Sequence, residues 1–155
     1  MKAQFETDLT SLLSLSFNVL ITELHDKLSE LGFDDISPTH GFLFKCIIPN
    51  GSTGNELADK LGITKQAVSK MVDYLEKRNY IKRQSHPTDK RGKIIVLTER
   101  GKLVVKAKDE ILTNIEKSWI ENIGAERMQF LKVDLKKLVD KANDDKMSPR
   151  IRPVW

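Results

Sequence analysis

Residues 53–101 read TGNELADKLGITKQAVSKMVDYLEKRNYIKRQSHPTDKRGKIIVLTERG, and this stretch decides the fold. Thr53 followed three residues later by Glu56 is a capping-box pattern, so a helix starts there and buries Leu57, Ala58 and Leu61. Gly62 ends it, because the turn between two helices needs a residue that tolerates a left-handed backbone. Thr64 caps the next helix, which runs to about Arg78 with Val68, Met71, Val72 and Leu75 on its apolar face. The opposite face carries Lys65, Gln66, Ser69, Lys70, Asp73 and Lys77. Two short helices about a glycine turn, the second basic on its outer side, form a helix-turn-helix pattern.

Beyond that helix, Tyr80 to Gln84 alternates polar and apolar residues, and Ile94 to Leu97 is a β-branched apolar run. Between them Ser85 to Gly92 is a turn-forming loop with little to bury. The pair predicts a two-stranded hairpin with a long basic tip. A helix-turn-helix followed by such a hairpin is a winged helix. Charge supports the same reading. From Lys60 to Lys93 there are ten Lys or Arg against three Asp or Glu, a net +7 in a chain whose total is only +4. Positive charge gathered on one unit is the footprint of phosphate contact, which makes double-stranded DNA the expected partner.

Outside this unit the chain is helical. Phe5 to Leu31 holds a helical apolar period for more than six turns, through Leu9, Leu12, Leu13, Phe17, Leu20, Ile21, Leu24 and Leu28, and Gly32 ends it. Ser37-Pro38 opens a second helix with Ser as cap and Pro at the first position. It buries Phe42, Leu43, Cys46 and Ile47 and stops before Pro49. After the wing, Thr98 caps a helix through Leu103, Val104, Ala107, Ile111, Leu112, Ile115 and Trp119. Gly124 separates it from a last helix over roughly Ala125 to Ala142. The expected class is mostly α with a small β-hairpin wing. Residues 34–100 form the winged helix-turn-helix, 1–33 and 101–142 a helical dimerisation domain, and 143–155 a C-terminal tail that is loose or docked by Val154 and Trp155. The terminal helices carry more apolar surface than one 155-residue body needs. Pairing them in a homodimer buries it, and sets two recognition helices on successive major grooves, about 34–36 Å apart.

Composition closes off other classes. No apolar run approaches the roughly eighteen residues of a membrane span. No signal-peptide core follows Lys2, and the single cysteine, Cys46, excludes an internal disulfide. The expectation is a cytoplasmic chain. There is no nucleophile–base pair, carboxylate dyad or Gly-rich phosphate loop, so no enzyme and no cofactor are expected. His25, His40 and Cys46 lack metal-ligand spacing, so no metal is expected either.

The assembled motifs resemble the multiple antibiotic resistance regulator (MarR) family of winged helix-turn-helix transcription regulators. They are Leu57-Ala58-Asp59-Lys60-Leu61, Leu75-Glu76 with Tyr80-Ile81, Asp89-Lys90-Arg91, and Leu97-Thr98-Glu99-Arg100-Gly101. The resemblance runs from the first helix to about Lys141. Asn79 departs from it, standing where the family usually has glycine, and Asn is the next-best residue for a left-handed helix end. The resemblance implies homodimers joined through their terminal helices. It also implies a repressor more often than an activator, released from DNA by a small aromatic or amphipathic molecule or by oxidation or a metal. The family's redox cysteine lies in the first helix, which has none here.

Residue roles follow. Lys65, Gln66, Ser69 and Lys70 occupy the first two turns of the recognition helix, Gln66 suited to adenine and Lys70 to guanine in the major groove. Thr64 caps that helix and offers a phosphate contact at its N-terminus. In the wing, Arg91 resembles the family arginine associated with the minor groove, whose narrow A·T-rich form attracts a guanidinium. Asp89 orients it or braces the turn, and Lys90 and Lys93 are phosphate contacts. Lys82 and Arg83 at the hairpin base are further candidates, and His86 is a turn histidine that joins only when protonated. By family placement, an effector pocket falls at the junction of the first, second and fifth helices, with Phe17, His40, Phe44 and Leu103. The competing reading is an architectural or protein-interaction winged helix with weakly specific DNA binding.

Overall fold

The computed structural model describes residues 8–144. Helix α1 spans Leu9–Glu30, α2 Pro38–Ile47, α3 Gly54–Leu61 and α4 Lys65–Lys77; strands β1 (Ile81–Ser85) and β2 (Lys93–Leu97) follow; then α5 spans Glu99–Ile123 and α6 Ala125–Asp144. Every internal boundary has a local cause. Thr53 Oγ1 accepts from Glu56 N at 3.2 Å while the Glu56 carboxylate accepts from Thr53 N at 2.8 Å, so the predicted capping box is closed. Gly62 takes φ 63°, ending α3, and Asn79 takes φ 61°, ending the turn after α4. The asparagine therefore does the work of the family's glycine at that point. Thr64 Oγ1 caps α4 through Ala67 N, and Thr98 Oγ1 caps α5 through Gly101 N.

Two boundaries differ from expectation. Helix α1 begins at Leu9 behind an Asp8 cap, whose carboxylate accepts from Ser11 N at 3.0 Å. Phe5 lies outside the described residues, as do Val154 and Trp155 of the tail. In α2 the buried set is Leu43, Phe44 and Ile47, with Phe42 and Cys46 only half-buried.

The wing is an antiparallel pair with Ile81 opposite Leu97 and Ser85 opposite Lys93. Ser52 adds an isolated bridge to it, Ile95 N donating to Ser52 O at 2.8 Å and Ser52 N to Ile95 O at 3.1 Å. That bridge anchors the chain just before α3 to the hairpin. One core joins all of this. Leu24 and Leu28 of α1 meet Leu43, Phe44 and Ile47 of α2, Leu57 and Leu61 of α3, Val68, Val72 and Leu75 of α4, and Val104, Ile111 and Ile115 of α5. Tyr80, fully buried, sits among them in tilted contact with Phe33 and Phe44.

The ends of the molecule are built differently. Leu9, Leu12, Leu13, Leu15 and Val19 of α1 are exposed, and in α6 only Met128 is buried. Helix α6 packs on α5 alone at any extent among the described residues. Among those residues no helix is long and apolar enough to cross a membrane.

Candidate nucleic-acid interface

The recognition helix earns its exposure from its period. Val68, Val72 and Leu75 turn into the core, which leaves Lys65, Gln66, Ser69 and Lys70 outward and exposed. A small cleft of about 220 Å³ brings Lys65 and Ser69 of α4 together with Lys93 and Arg83 of the wing and with Gly54 and Asn55 at the start of α3. Four of the sequence-predicted residues thus share one surface. Thr64 is engaged as a cap.

The wing tip is ordered by its own side chains. His86 Nδ1 accepts from Thr88 N at 3.2 Å and Asp89 N at 3.1 Å. Asp89 Oδ1 accepts from Arg91 N at 2.9 Å, and Gly92 N donates to Asp89 O. Asp89 therefore braces the turn, and its bond is to the Arg91 backbone, leaving the guanidinium to project. Lys90, Arg91 and Lys93 are exposed, and their side chains form no ion pair with a described residue. His86 proves structural, an acceptor at the heart of an Asx-like loop. Its place two residues before Thr88 in a proline turn was the available signal.

The hairpin base divides its two candidates. Successive strand residues face opposite sides. Lys82, with Gln84, lines a larger cleft beside α5, away from the recognition helix. Arg83 faces α4, where its guanidinium donates to Asp73 Oδ1 at 2.7 Å and to Glu76 Oε2, while its backbone N donates to Glu76 Oε1 at 3.1 Å. The two carboxylates hold Arg83 firmly protonated. Neither residue belongs to the free basic set. Strand alternation and the Asp73/Glu76 spacing carried that information.

The larger cleft has a volume of about 1080 Å³ and lies between the C-terminal end of α2, the outer face of the hairpin and α5. Ile47, Ile48, Val96, Leu97 and Val105 supply apolar wall, and Lys82, Lys102, Lys106 and Lys117 stand around it. Lys102 is paired with Glu99 at 2.6 Å and Lys106 with Glu110 at 3.9 Å.

The four residues expected to line an effector pocket go elsewhere. None lines either cleft. Phe44 is a core residue, 1 % exposed, whereas Leu103 is 60 % exposed. His40 Nδ1 accepts from Ser37 N at 3.0 Å, closing the N-terminal turn of α2, and its ring stacks on Tyr74. Burial pushes the His40 imidazole down to about 4, so it is a neutral acceptor. Phe17 is half-buried on α1. Cys46 is half-buried with its thiol pushed up by burial, against the pull of the Lys60 ammonium. Among the described residues no group of three or more His, Cys, Asp or Glu is placed to hold a metal ion.

Comparison with known proteins agrees with this geometry. The MarR family model matches residues 35–92, the span from Asp35 to the wing tip. A mutant of Staphylococcus aureus MepR bound to an oligodeoxyribonucleotide is similar at 25% identity and TM-score 0.61, over 88% of this chain and 99% of that one. Apo MarR from E. coli is similar at 24% identity and TM-score 0.66, over 85% and 97%. The transcriptional repressor CouR on a 23-mer DNA duplex is similar at 20% identity and TM-score 0.71, over 89% and 96%. With its helix-turn-helix, its wing and both flanking helical segments accounted for in this way, the chain belongs to the MarR family of winged helix-turn-helix transcription regulators.

Proposed function

We propose that this protein is a sequence-specific transcriptional regulator that binds an inverted-repeat operator as a homodimer and acts as a repressor released by a small amphipathic ligand. The observation that carries the reading is the set of outward, unpaired side chains Lys65, Gln66, Ser69 and Lys70 beside a wing that presents Lys90, Arg91 and Lys93. Amide and ammonium groups on the first two turns of a helix suit base edges in the major groove, and a projecting wing arginine suits the minor groove. The MepR mutant solved on an oligodeoxyribonucleotide supports DNA as the partner.

Homodimerisation rests on uncovered apolar surface. Leu9, Leu12, Leu13, Phe130, Leu131 and Leu138 are all exposed, on the two helices at the ends of the described chain. A patch of that kind on paired helices marks an association surface. A second copy has the same patch, and two-fold pairing matches a palindromic site.

The ligand seat we favour is the larger cleft in place of the junction around Phe17, His40, Phe44 and Leu103. Its apolar wall with Lys82 and Lys117 suits an amphipathic anion, and Lys82 and Gln84 put any occupant against the strand that leads into the wing. A ligand there biases wing position only through its different affinity for the two positions.

Selection of duplexes from a random pool by the purified protein, at two salt concentrations, tests the reading. Recovery of an inverted repeat with half-sites about one turn apart, still preferred at the higher salt, is the expected result. Binding without sequence preference that fades steeply with salt leaves only counterion release and overturns it.

A further inference from the structure

Asp35, in the loop between α1 and α2, is the meeting point of three parts of the chain. Its Oδ1 accepts from the Tyr80 hydroxyl at 2.5 Å, and its backbone carbonyl accepts from the Tyr74 hydroxyl at 2.9 Å. Its Oδ2 lies 3.5 Å from Arg78 Nε and 3.9 Å from an Arg100 terminal nitrogen. Arg100 in turn donates to the Tyr80 hydroxyl at 2.9 Å and lies over the Tyr80 ring at 4.5 Å, and Arg78 covers the Tyr74 ring at 3.5 Å. Tyr74 and Arg78 belong to the C-terminal end of the recognition helix or its cap, Tyr80 to the turn after it, and Arg100 to the first turn of α5.

The consequence is geometric. The N-terminal end of α4 carries the side chains that face DNA, and its C-terminal end is fastened to the start of the long helix α5 through one carboxylate. We propose that Asp35 is a positioning residue that sets the angle between the recognition helix and α5, and thereby the separation of the two recognition helices in the dimer. The inference rests on the dimeric DNA-binding reading above. Magnitudes favour position over stability as its main contribution. The Asp35, Arg78 and Arg100 side chains are 25%, 38% and 42% exposed, and ion pairs that wet contribute about 1 kcal/mol or less each. A fold with the buried core described here survives that loss. The orientation of one helix end, held by that single shared carboxylate, does not.

The test uses the full chain and its selected operator, together with duplexes in which one base pair is added or removed between half-sites and a duplex with a single half-site. Wild-type protein should prefer the selected spacing strongly. Asp35→Ala should weaken binding at that spacing by about tenfold, bring the altered spacings to within a few-fold of it, and affect the single half-site least. Tyr80→Phe removes only the hydroxyl that joins Asp35 to Arg100 and keeps the ring in the core. It should shift spacing preference the same way, which covers the case of an Asp35→Ala chain that does not fold. Either folded variant retaining the wild-type ratio between spacings, even with a lowered Tm, overturns the proposal and leaves Asp35 a stabilising residue. Wild-type protein without any spacing preference overturns the dimeric reading beneath it, and the proposal with it.

Discussion

Arg83 of the wing and Asp73 of the recognition helix are joined at 2.7 Å, with Glu76 as a second carboxylate on the same guanidinium. A basic residue in the middle of the DNA-facing unit thus spends its charge inside the protein. Arg83→Ala should weaken operator binding by loosening the wing, while the dependence of log K on log salt keeps its slope. Lys90→Ala, a lost phosphate contact, should reduce that slope by roughly one. Salt titrations of the two variants distinguish brace from contact, and a reduced slope for Arg83→Ala would return it to the phosphate-binding set.

Gly101 is required by a close approach and not by its dihedral angles. A Cβ at Gly101 would run into the Tyr80 carbonyl oxygen, which also accepts from Thr98 N at 3.0 Å. The backbone of the turn after α4 is the obstacle, so it has little room to yield. Gly101→Ala should destabilise the fold by about 1–3 kcal/mol, read by urea unfolding. A stability equal to wild type would mean that α5 shifts freely at its first turn.

Helix starts were the most legible part of this chain. Thr53, Thr64 and Thr98 each announce a cap in the residues that follow, and Gly62 and Asn79 mark left-handed ends, because capping is a local matter of a few residues. The exposed recognition face was legible for the same reason, being the complement of Val68, Val72 and Leu75 at helical spacing. What could not be read locally was pairing across distance. Tyr80 meets Asp35 from 45 residues away, and no pattern near either residue names the other. His40 looked like an effector-site ligand because histidine is versatile. Its use as a cap acceptor depends on how Ser37 turns into α2.

The buried His40 predicts an acid-sensitive fold. Burial holds the folded imidazole at about 4, against 6.5 for a free histidine. Between those values the unfolded chain binds more protons, so stability is intact above about pH 6.5 and falls as pH drops toward 4. At about 1.4 kcal/mol per pKa unit the loss approaches roughly 3 kcal/mol. His25 is also pushed down by burial and acts in the same direction. Unfolding free energies of wild type and His40→Asn, which keeps an acceptor near the Nδ1 position, should converge as pH falls from 7 to 4.5. Parallel curves would contradict the assignment to His40.

Arg91 projects from a turn whose backbone Asp89 holds at 2.9 Å. Its replacement by alanine should weaken binding most on operators with A·T-rich flanks, where the narrow groove concentrates negative potential. Competition assays on operators differing only in their flanks measure this. Equal losses on all flanks would make Arg91 an ordinary phosphate contact.

Direct reading of bases by the exposed face of α4 is tested most closely by Gln66→Ala and Lys70→Ala on a panel of single base-pair variants of the selected operator. Each substitution should abolish discrimination at one position per half-site, placed symmetrically in the two halves, at about 1–3 kcal/mol per contact, and leave the other positions unchanged. A uniform loss over the whole panel would contradict it, reducing the helix to a charged surface that holds DNA without reading it.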